Sequence, residues 1–401
     1  MRILFLGTNL PIPPNNGHAL RSLSIIQSLA SSGHEIHFVS FAAQDRPKTL
    51  SPLPSYCRQV ELVERKMVSL SLRPSYVRRA GCLLSLKPYS IERFRSEEMR
   101  TKIEVLLREK CFDLIVCDGL YSLVNVPRTE VPIALNCHNV EHMILKRYSL
   151  VEKNYLKKCY AVLEAQLLRR AERRSCRRAT IAMACSDADR TTLLQLQPNL
   201  SIVVVPNAVD LDSYGLDESR GSGDNDPVLL FQGGMDWYPN RDAVEFFARS
   251  ILDLVRAEYP TVRFVVAGRN PPARFVEELG AYRGVEFTGT VPDMRPFLSA
   301  ATVVVVPLRM GSGTRIKILE AFAARKPVVS TRVGAEGLVI EAGKDILLAD
   351  EPVEFARSVI ALLRNPAKRN AMSKSARAVI VDRYSHQALK KSLDVLISSF
   401  A

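Results

Sequence analysis

The chain has 401 residues, of which 47% are hydrophobic and 24% are charged, and its formal net charge is +13. These values are typical of a globular protein of two or three domains, and they exclude long disordered segments. The positive charge suits an anionic substrate, an anionic membrane surface or a merely solvated surface, whereas the sequence lacks zinc-finger spacing and aromatic RNA-binding strands, which argues against a nucleic-acid partner.

The N-terminal half is predicted to alternate strands with helices. A strand, a helix and a second strand fill residues 1–41, and parallel strands joined by a helix imply a right-handed crossover in an open α/β sheet. Residues 45–110 are basic and give no clear pattern. The predicted elements of this half are strands at 1–7, 35–41, 112–119, 132–139, 179–189 and 200–210, and helices at 19–31 and 140–178.

A polar segment rich in Gly and Asp, residues 215–227, is the best candidate for an interdomain linker. After it the alternation restarts, with strands predicted at 227–234, 262–268, 284–289, 301–308, 326–331 and 345–349, and helices at 242–257, 315–324, 352–363, 368–384 and 387–400. This pattern predicts two doubly wound domains facing each other across a cleft. The expected division is a first domain at 1–215, a second domain at 216–380, and a C-terminal helix at 381–401.

The eight cysteines contain no C-x-x-C pair and all precede residue 190. This distribution predicts reduced thiols in the cytosol rather than a disulfide framework or a zinc site. No uninterrupted apolar run approaches the roughly 18 residues of a membrane span, and the N-terminal run is too short for a signal peptide. A cytoplasmic protein, either free in the cytosol or peripheral on the inner membrane leaflet, is therefore expected.

A glycine-rich turn follows the apolar run at 301–308 and leads directly into a helix. Its backbone amides and the positive end of the new helix can approach an anion, and cationic side chains lie close by in the sequence, so the turn predicts a diphosphate site. Glu320, further along the helix, could accept hydrogen bonds from a ribose diol or could be an ordinary surface carboxylate. The residues concerned are Arg309, Gly311, Ser312, Gly313, Thr314, Arg315, Lys317 and Glu320.

Five segments together resemble glycosyltransferase family 4, a retaining family with the GT-B fold of two Rossmann-like domains. They are PLRMGSGTRIKILEAFAARKPVVSTRVGAEGL at 307–338, LNCHNVE at 135–141, VVVPNAVD at 203–210, FQGGMDWYPN at 231–240 and VEFTGTVPD at 285–293. The resemblance covers almost the whole chain and is weakest at 45–110. It implies transfer from a nucleotide-diphosphate sugar, UDP- or GDP-linked, to a hydroxyl of a glycan, lipid-linked or small-molecule acceptor, in polysaccharide or glycolipid synthesis.

The resemblance also implies that the first domain binds the acceptor, that the second domain binds the nucleotide sugar, and that the C-terminal helix returns to the first domain. It further implies roles for individual residues. His138 and Arg315 are the expected catalytic residues. Donor binding is expected from Gly233, Gly234, Arg241, Thr290, Val291, Pro292, Arg309, Gly311, Ser312, Gly313, Thr314, Lys317 and Glu320. The acceptor side is expected to involve Gly17, His18, Asn139 and Glu141. No cofactor and no metal are expected, because no D-x-D motif follows a strand of the second domain.

The sequence departs from the family pattern at two places. The first Glu of the family's Glu-x7-Glu pattern is replaced by Ser312, which leaves the donor sugar open. The phosphate loop GGMDWYPNRD contains one cation, Arg241, and Arg309, Arg315 and Lys317 are candidates to supply the missing charge. Two alternatives to a transferase remain: a nucleotide-sugar epimerase or hydrolase on the same fold, and a catalytically weak sugar-nucleotide-binding subunit.

The segment from Ile144 to Thr180 carries eleven Lys and Arg residues against three Glu residues. Interleaved leucines give it an amphipathic character. It could therefore dock on an anionic membrane surface, or it could be a packed helix with a solvated face.

Overall fold

A computed structural model describes residues 1–42, 51–64, 75–214 and 226–400. The chain divides into two compact units: unit 1 comprises Met1–Asn207 and Leu389–Ala401, and unit 2 comprises Ala208–Ala388. Each unit contains one parallel sheet with helices, as the sequence pattern predicts.

The seven strands of unit 1 lie in the order β3-β2-β1-β4-β5-β6-β7, and every neighbouring pair is parallel. The central strands are apolar on both faces and almost wholly buried, as expected for a sheet covered by helices on both sides. The strands are β1 Arg2–Leu6, β2 Glu35–Phe41, β3 Gln59–Val63, β4 Leu114–Asp118, β5 Ile133–Asn136, β6 Ile181–Ala184 and β7 Ser201–Val204.

The helices of unit 1 are α1 Gly17–Ser31, α2 Leu53–Tyr56, α3 Ser75–Leu84, α4 Tyr89–Glu92, α5 Glu97–Glu109, α6 Leu120–Leu123, α7 Glu141–Val151, α8 Tyr155–Arg178 and α9 Asp187–Leu196. The prediction of one helical stretch at 140–178 is wrong in its continuity. Glu152 adopts an extended conformation, and the Asn154 side chain accepts a hydrogen bond from the Lys157 amide, so that a new helix begins at Tyr155.

The stretch 45–110 gave no clear pattern because its elements are short. It contains β3 and the helices α2 to α5, while residues 43–50 and 65–74 lie outside the described part of the chain. Most of the predicted linker, residues 215–225, also lies outside it.

The six strands of unit 2 lie in the order β10-β9-β8-β11-β12-β13 and are all parallel. Their apolar residues form one large core with the flanking helices. The strands are β8 Val228–Gln232, β9 Arg263–Ala267, β10 Val285–Gly289, β11 Val303–Val306, β12 Val328–Ser330 and β13 Leu347–Leu348.

The remaining helices are α10 Tyr238–Ser250, α11 Leu252–Arg256, α12 Ala273–Gly280, α13 Arg295–Ala300, α14 Ile316–Ala323, α15 Pro352–Arg364, α16 Pro366–Arg383 and α17 His386–Ser398. The helix predicted at 242–257 begins four residues earlier than expected, with Pro239 in its first turn, and is interrupted at Ile251. Within the described ranges, no helix is both long and apolar enough to cross a bilayer.

Candidate functional site

Both units gather polar side chains at the carboxyl ends of their central strands, where open α/β sheets bind ligands. In unit 2 these side chains follow β8, β9, β10 and β11. In unit 1 they follow β4 and β5 and begin α1. The two groups are described in turn.

The loop after β8 packs tightly against the loop after β9. The Gly233 amide donates to the Ala267 carbonyl at 2.9 Å. A Cβ on Gly268 would lie 2.0 Å from the Gly233 carbonyl oxygen, so that only glycine allows this approach. The Asn240 side chain donates to the Gly234 carbonyl at 2.8 Å and thereby fixes the loop to the first turn of α10.

The glycine-rich turn after β11 is buried, and its backbone adopts conformations that favour glycine. Gly311 and Gly313 have φ values of 133° and 74°, which other residues rarely adopt. The Arg315 guanidinium turns back onto this loop, where it donates to the Gly313 carbonyl at 2.6 Å and also to the Ser312 carbonyl. Arg315 therefore holds the loop in shape, and the catalytic role expected of it stays a prediction.

Lys317 lies in the first turn of α14, and its side chain reaches the loop after β8. Its Nζ donates to Asn240 Oδ1 at 2.8 Å and lies 4.0 Å from the centroid of the Phe231 ring. A Cβ on Gly233 would approach this Nζ to 2.9 Å. Burial, together with the charge of Arg315, lowers the pKa of Lys317 to about 7.

Glu320 lies one turn further along α14, and both of its carboxylate oxygens have a protein donor. Tyr214 Oη donates to Oε1 at 3.2 Å, and Gln232 Nε2 donates to Oε2 at 2.9 Å. Burial raises the pKa of Glu320 to about 7, against the opposing effects of the Tyr214 hydroxyl and the Lys317 charge. Each carboxylate oxygen has a second lone pair, so the ionised group can still accept hydrogen bonds from ligand hydroxyls.

The two other cations expected at the donor site have protein partners. Arg309 forms a bidentate ion pair with the buried Asp242, with Nε 3.0 Å from Oδ2. Arg241 donates to the Met235 carbonyl at 2.7 Å. Of these four cations, Lys317 is the one whose charged group lies against Gly233.

The segment expected to hold the base follows β10 at the edge of the sheet. The exposed Thr290 accepts a hydrogen bond from the Asn270 amide at 3.4 Å, which ties it to the loop after β9. Val291 and Pro292 follow and are partly or fully exposed. Because β8 and β10 run in the same direction in one sheet, the backbone groups of this segment lie at the same edge of the sheet as Gly233 and Gly234.

In unit 1 the buried Asp118 ends β4 and collects four polar partners. His138 Nε2 lies 2.6 Å from Oδ1, and Asn136 Nδ2 donates to the same oxygen at 2.7 Å. On the other side, Ser22 Oγ donates to Oδ2 at 2.6 Å, and His18 Nε2 lies 3.2 Å from this oxygen as an ion-pair contact. Asp118 was not expected from the sequence, although its place at the end of the strand-like run 112–119 is the available signal.

The pKa values of the two histidines shift in opposite directions. Burial and the charge of His18 lower the pKa of His138 to about 4, so its imidazole is neutral at pH 7. Burial opposes the charged form of His18 as well, but the adjacent Asp118 carboxylate outweighs it and raises the pKa. Since His138 must protonate Nε2 to donate to Asp118, its Nδ1 is left as a hydrogen-bond acceptor, whereas His18 is a donor.

Other buried polar residues fix this arrangement. Arg21 donates to Asn136 Oδ1 at 2.9 Å and to the Val205 carbonyl at 2.7 Å. Gly17 is the first residue of α1, where the Asn16 side chain caps the helix by accepting from the Ala19 amide at 3.0 Å. The sequence did not single out Arg21, which stands in no recognisable motif. Within the segment LNCHNVE it pointed to His138, Asn139 and Glu141 and not to Asn136.

Glu141 begins α7 beside this cluster. Its carboxylate accepts from Tyr121 Oη at 2.9 Å and from Asn139 Nδ2 at 3.3 Å. Burial and the neighbouring Glu172 raise its pKa. Asn139 and Glu141 are thus in contact with each other, and their expected role towards an acceptor stays a prediction.

His18, Asp118 and His138 also meet the elementary requirement for a metal site, because one ligand atom from each lies within 4.8 Å of the others. Imidazole and carboxylate are ligands of zinc and other divalent cations. Asp118 nevertheless already accepts hydrogen bonds from Ser22 and Asn136. Together with His138 Nε2, these groups give both carboxylate oxygens of Asp118 a protein partner.

Two families match successive parts of the chain. The family described as Glycosyltransferase Family 4 matches residues 15–213, and the family described as Glycosyl transferases group 1 matches residues 226–365. Together these matches cover most of both units.

Individual proteins are similar over the whole length. A Klebsiella pneumoniae protein described as an uncharacterized 44.6 kDa protein in the cps region is 20% identical over 98% of both chains. Sucrose-phosphate synthase from Thermosynechococcus elongatus has a TM-score of 0.75 at 16% identity, covering 100% of this chain and 99% of its own. Anabaena Alr3699/HepE, solved with UDP-glucose, has a TM-score of 0.67 at 16% identity, with 100% of both chains covered. These likenesses establish the two-sheet fold.

Proposed function

Because the chain belongs to glycosyltransferase family 4, with the GT-B fold, we propose that it transfers a sugar from a nucleoside diphosphate sugar to an acceptor hydroxyl with retention of configuration and without a metal ion. UDP is the first nucleotide to test, because the structurally similar Anabaena protein was solved with UDP-glucose. Polysaccharide or glycolipid synthesis is the proposed setting, and the similarity to a protein of a cps region supports it.

The observation that carries the proposal is the placement of Lys317 and Glu320 on α14. They are three positions apart, so they lie on one face of the helix, with Lys317 against the glycine loop and Glu320 one turn away. A diphosphate beside Lys317 and a ribose diol on Glu320 would match both groups in charge and hydrogen bonding. The diphosphate would also restore the charged form of Lys317, whose pKa burial lowers to about 7.

The same loops can stabilise the leaving group. As the bond from sugar to phosphate breaks, negative charge grows on the diphosphate, and amides of the loop 311–314, the N-terminus of α14 and Lys317 are fixed donors for that charge. A diphosphate oxygen that gains charge is also a base for the acceptor proton, which suits retention. The structural support is the rigidity of the loop, which Arg315 holds by its carbonyl contacts.

Unit 1 supplies the second group of polar residues. We assign the neutral Nδ1 of His138 to a hydroxyl of the sugar or acceptor, and the cationic His18 to an anionic oxygen. Asp118 sets both states by its contacts with the two rings. Rate contributions of about 10² to 10⁴ are usual for such positioned groups.

An anionic membrane surface is proposed as a partner. The support is the cluster of eleven cations between Ile144 and Thr180, since basic residues near an anionic leaflet each add about 1 kcal/mol of attraction. A lipid-linked acceptor would suit such a location, and a soluble glycan or small-molecule acceptor is retained for the screen.

The decisive experiment is calorimetric binding of UDP, GDP and their glucose conjugates, followed by nucleotide release with a panel of acceptors. UDP is expected to bind the wild-type protein, and Glu320→Gln is expected to weaken it about tenfold, as loss of a charged acceptor of hydroxyl hydrogen bonds implies. Glu354→Gln is the matched control, because it makes the same change from carboxylate to carboxamide at an exposed residue in the first turn of α15.

Each outcome tests a separate part. If no nucleoside diphosphate or its sugar conjugate binds, the donor assignment is wrong. If turnover disappears when a chelator is added and returns with a divalent cation, the metal-free mechanism is wrong, and the cluster of His18, Asp118 and His138 becomes the first site to examine. Binding without hydrolysis or transfer would favour the catalytically weak subunit that Ser312 suggests.

A further inference from the structure

Helix α8 presents two chemically different halves along one exposed stripe. Its buried residues recur every three or four positions, from Ala161 to Cys176, so that the opposite face is solvated. In the first half of that face, the large apolar residues Leu156 and Leu163 are 77% and 54% exposed, and Tyr155 is 75% exposed. Large apolar side chains clustered on a surface mark a contact with a partner or a membrane.

The second half of the stripe is basic. Arg169, Arg170, Arg173, Arg174 and Arg177 are exposed, and none of them forms an ion pair with an acidic residue of the described chain. Exposed arginines elsewhere do have such partners: in unit 2, Arg263 pairs with Glu286 at 2.8 Å. The arginines of α8 thus form an uncompensated positive field directly beyond the exposed leucines.

A groove of about 770 Å³ lies beside this basic half, between α8 and the segment from Leu86 to Glu104. Its lining includes the buried or half-buried apolar residues Ile91, Leu120, Val124 and Leu167. Four exposed cations also line it without an acidic partner among the described residues: Lys87, Arg128, Arg170 and Arg174. Its two glutamates, Glu92 and Glu104, are each paired with an arginine.

We infer that the exposed stripe of α8 and this groove together form the docking surface for an anionic lipid leaflet, with the phosphate of one phospholipid held by Arg170, Arg174 and Lys87 and part of its chain on the apolar lining. This inference rests on the proposed membrane association and names its surface. The apolar half suits the acyl boundary, and the basic half suits headgroup phosphates. The groove offers space for an acyl chain beside charged side chains. A partner that was an acidic protein surface would not need such a space.

The test is flotation with phosphatidylcholine vesicles that do or do not contain about one third phosphatidylglycerol, at about 0.1 M salt, where exposed charges are still felt over about 10 Å. The wild-type protein is expected to bind only the anionic vesicles. Arg170→Glu/Arg174→Glu is expected to lower the partition coefficient at least about tenfold. Leu156→Ser/Leu163→Ser is expected to lower the partition coefficient both at about 0.1 M salt and at high salt. The control for the charge change is Arg274→Glu/Arg357→Glu, two exposed arginines of unit 2.

A second arm addresses the groove. Short-chain phosphatidylglycerol below its micelle concentration is expected to bind the wild-type protein more tightly than inorganic phosphate does, because its chain contacts the apolar lining. Lys87→Glu is expected to weaken the binding of both ligands. Circular dichroism of each variant verifies that it is folded.

The failures are distinguishable. If the wild-type protein binds neither kind of vesicle, the membrane association itself is wrong. If the wild-type protein binds anionic vesicles and Arg170→Glu/Arg174→Glu binds them equally well, the proposed surface is wrong. The proposed surface is also wrong if the unit 2 control, Arg274→Glu/Arg357→Glu, loses as much affinity as that variant. Equal affinity for the short-chain lipid and inorganic phosphate would overturn the groove as a lipid site.

Discussion

The imidazole rings of His18 and His138 stack with their centroids 3.9 Å apart, and their Nε2 atoms face different oxygens of one buried carboxylate. Two adjacent imidazolium ions would repel each other, so we expect only one of the two rings to carry a positive charge beside the Asp118 carboxylate. The directions of the pKa shifts assign that charge to His18, which is raised, rather than to His138, which is lowered to about 4. One carboxylate thus prepares a donor and an acceptor side by side.

The first prediction is that Asp118→Asn lowers kcat about 10²-fold, within the range expected for losing a group that positions catalytic side chains. The amide cannot attract a proton to His18, so the pKa of His18 should fall, and the titration of its ring protons by NMR should move to lower pH. Asp187→Asn, on the exposed start of α9, is the control. An unchanged His18 titration would contradict the assignment even if activity were lost.

The stability of this variant should depend on pH in a defined direction. Burial favours protonated Asp118, but the charges of His138 and His18 lower its pKa well below 3.8. A carboxyl with a lowered folded pKa stabilises the fold above its unfolded pKa, and this contribution is lost as the pH falls through the folded value. The difference in unfolding free energy between wild type and Asp118→Asn should therefore be full at neutral pH and shrink in strong acid.

The alternation of strands and helices and the position of the glycine-rich turn were predictable from the sequence, because buried parallel strands such as β11 are continuous apolar runs that end at ligand loops. Asp118, Asn240 and Tyr214 were not predictable. Asp118 meets His18 and His138 only when three separate segments come together, and Asn240 and Tyr214 reach Lys317 and Glu320 from other elements. The break at Glu152 was missed because helix propensity continues across it, while the capping of α8 by Asn154 is a local signal that periodicity does not register.

The second prediction is that Lys317→Met stabilises the ligand-free protein and weakens UDP binding. Burial lowers the folded pKa of Lys317 to about 7, far below its unfolded value. At pH 7, folding must therefore bury a charge or release a proton, and methionine avoids both, for a gain of about 1 to 3 kcal/mol in unfolding free energy. That gain should decline as the pH rises towards the unfolded pKa, because deprotonation of the unfolded chain then removes the cost.

Urea unfolding between pH 7 and 10 measures this gain, and calorimetry measures the UDP affinity. Lys374→Met, at an exposed position of α16, is the control and should change neither quantity. A variant that binds UDP as tightly as the wild type would exclude Lys317 from the diphosphate site.

The third prediction distinguishes a structural role of Arg309 from a role in binding the donor. This residue was expected at the donor site, but its guanidinium forms a bidentate pair with the buried Asp242. Arg309→Ala should lower the unfolding free energy by about 1 to 3 kcal/mol because it leaves a buried carboxylate without its partner. Arg309→Ala/Asp242→Ala should recover part of that loss, and UDP affinity should stay within about twofold, a few tenths of a kcal/mol. A large loss of UDP affinity with little loss of stability would instead support the donor role.

The fourth prediction concerns the close approach of the loops after β8 and β9. A methyl group on Gly268 would lie 2.0 Å from the Gly233 carbonyl oxygen, and a backbone atom cannot move aside as the end of a side chain can. Gly268→Ala should therefore separate the two loops, lower the unfolding free energy by more than about 3 kcal/mol, which is exceptional for a single substitution, and abolish UDP binding. Gly280→Ala, at the end of α12 with no atom within 4 Å of the added methyl, should be neutral or slightly stabilising. Thermal unfolding and UDP calorimetry compare the two variants directly, and similar melting temperatures together with similar UDP affinities would show that the loop contact does not control the donor site.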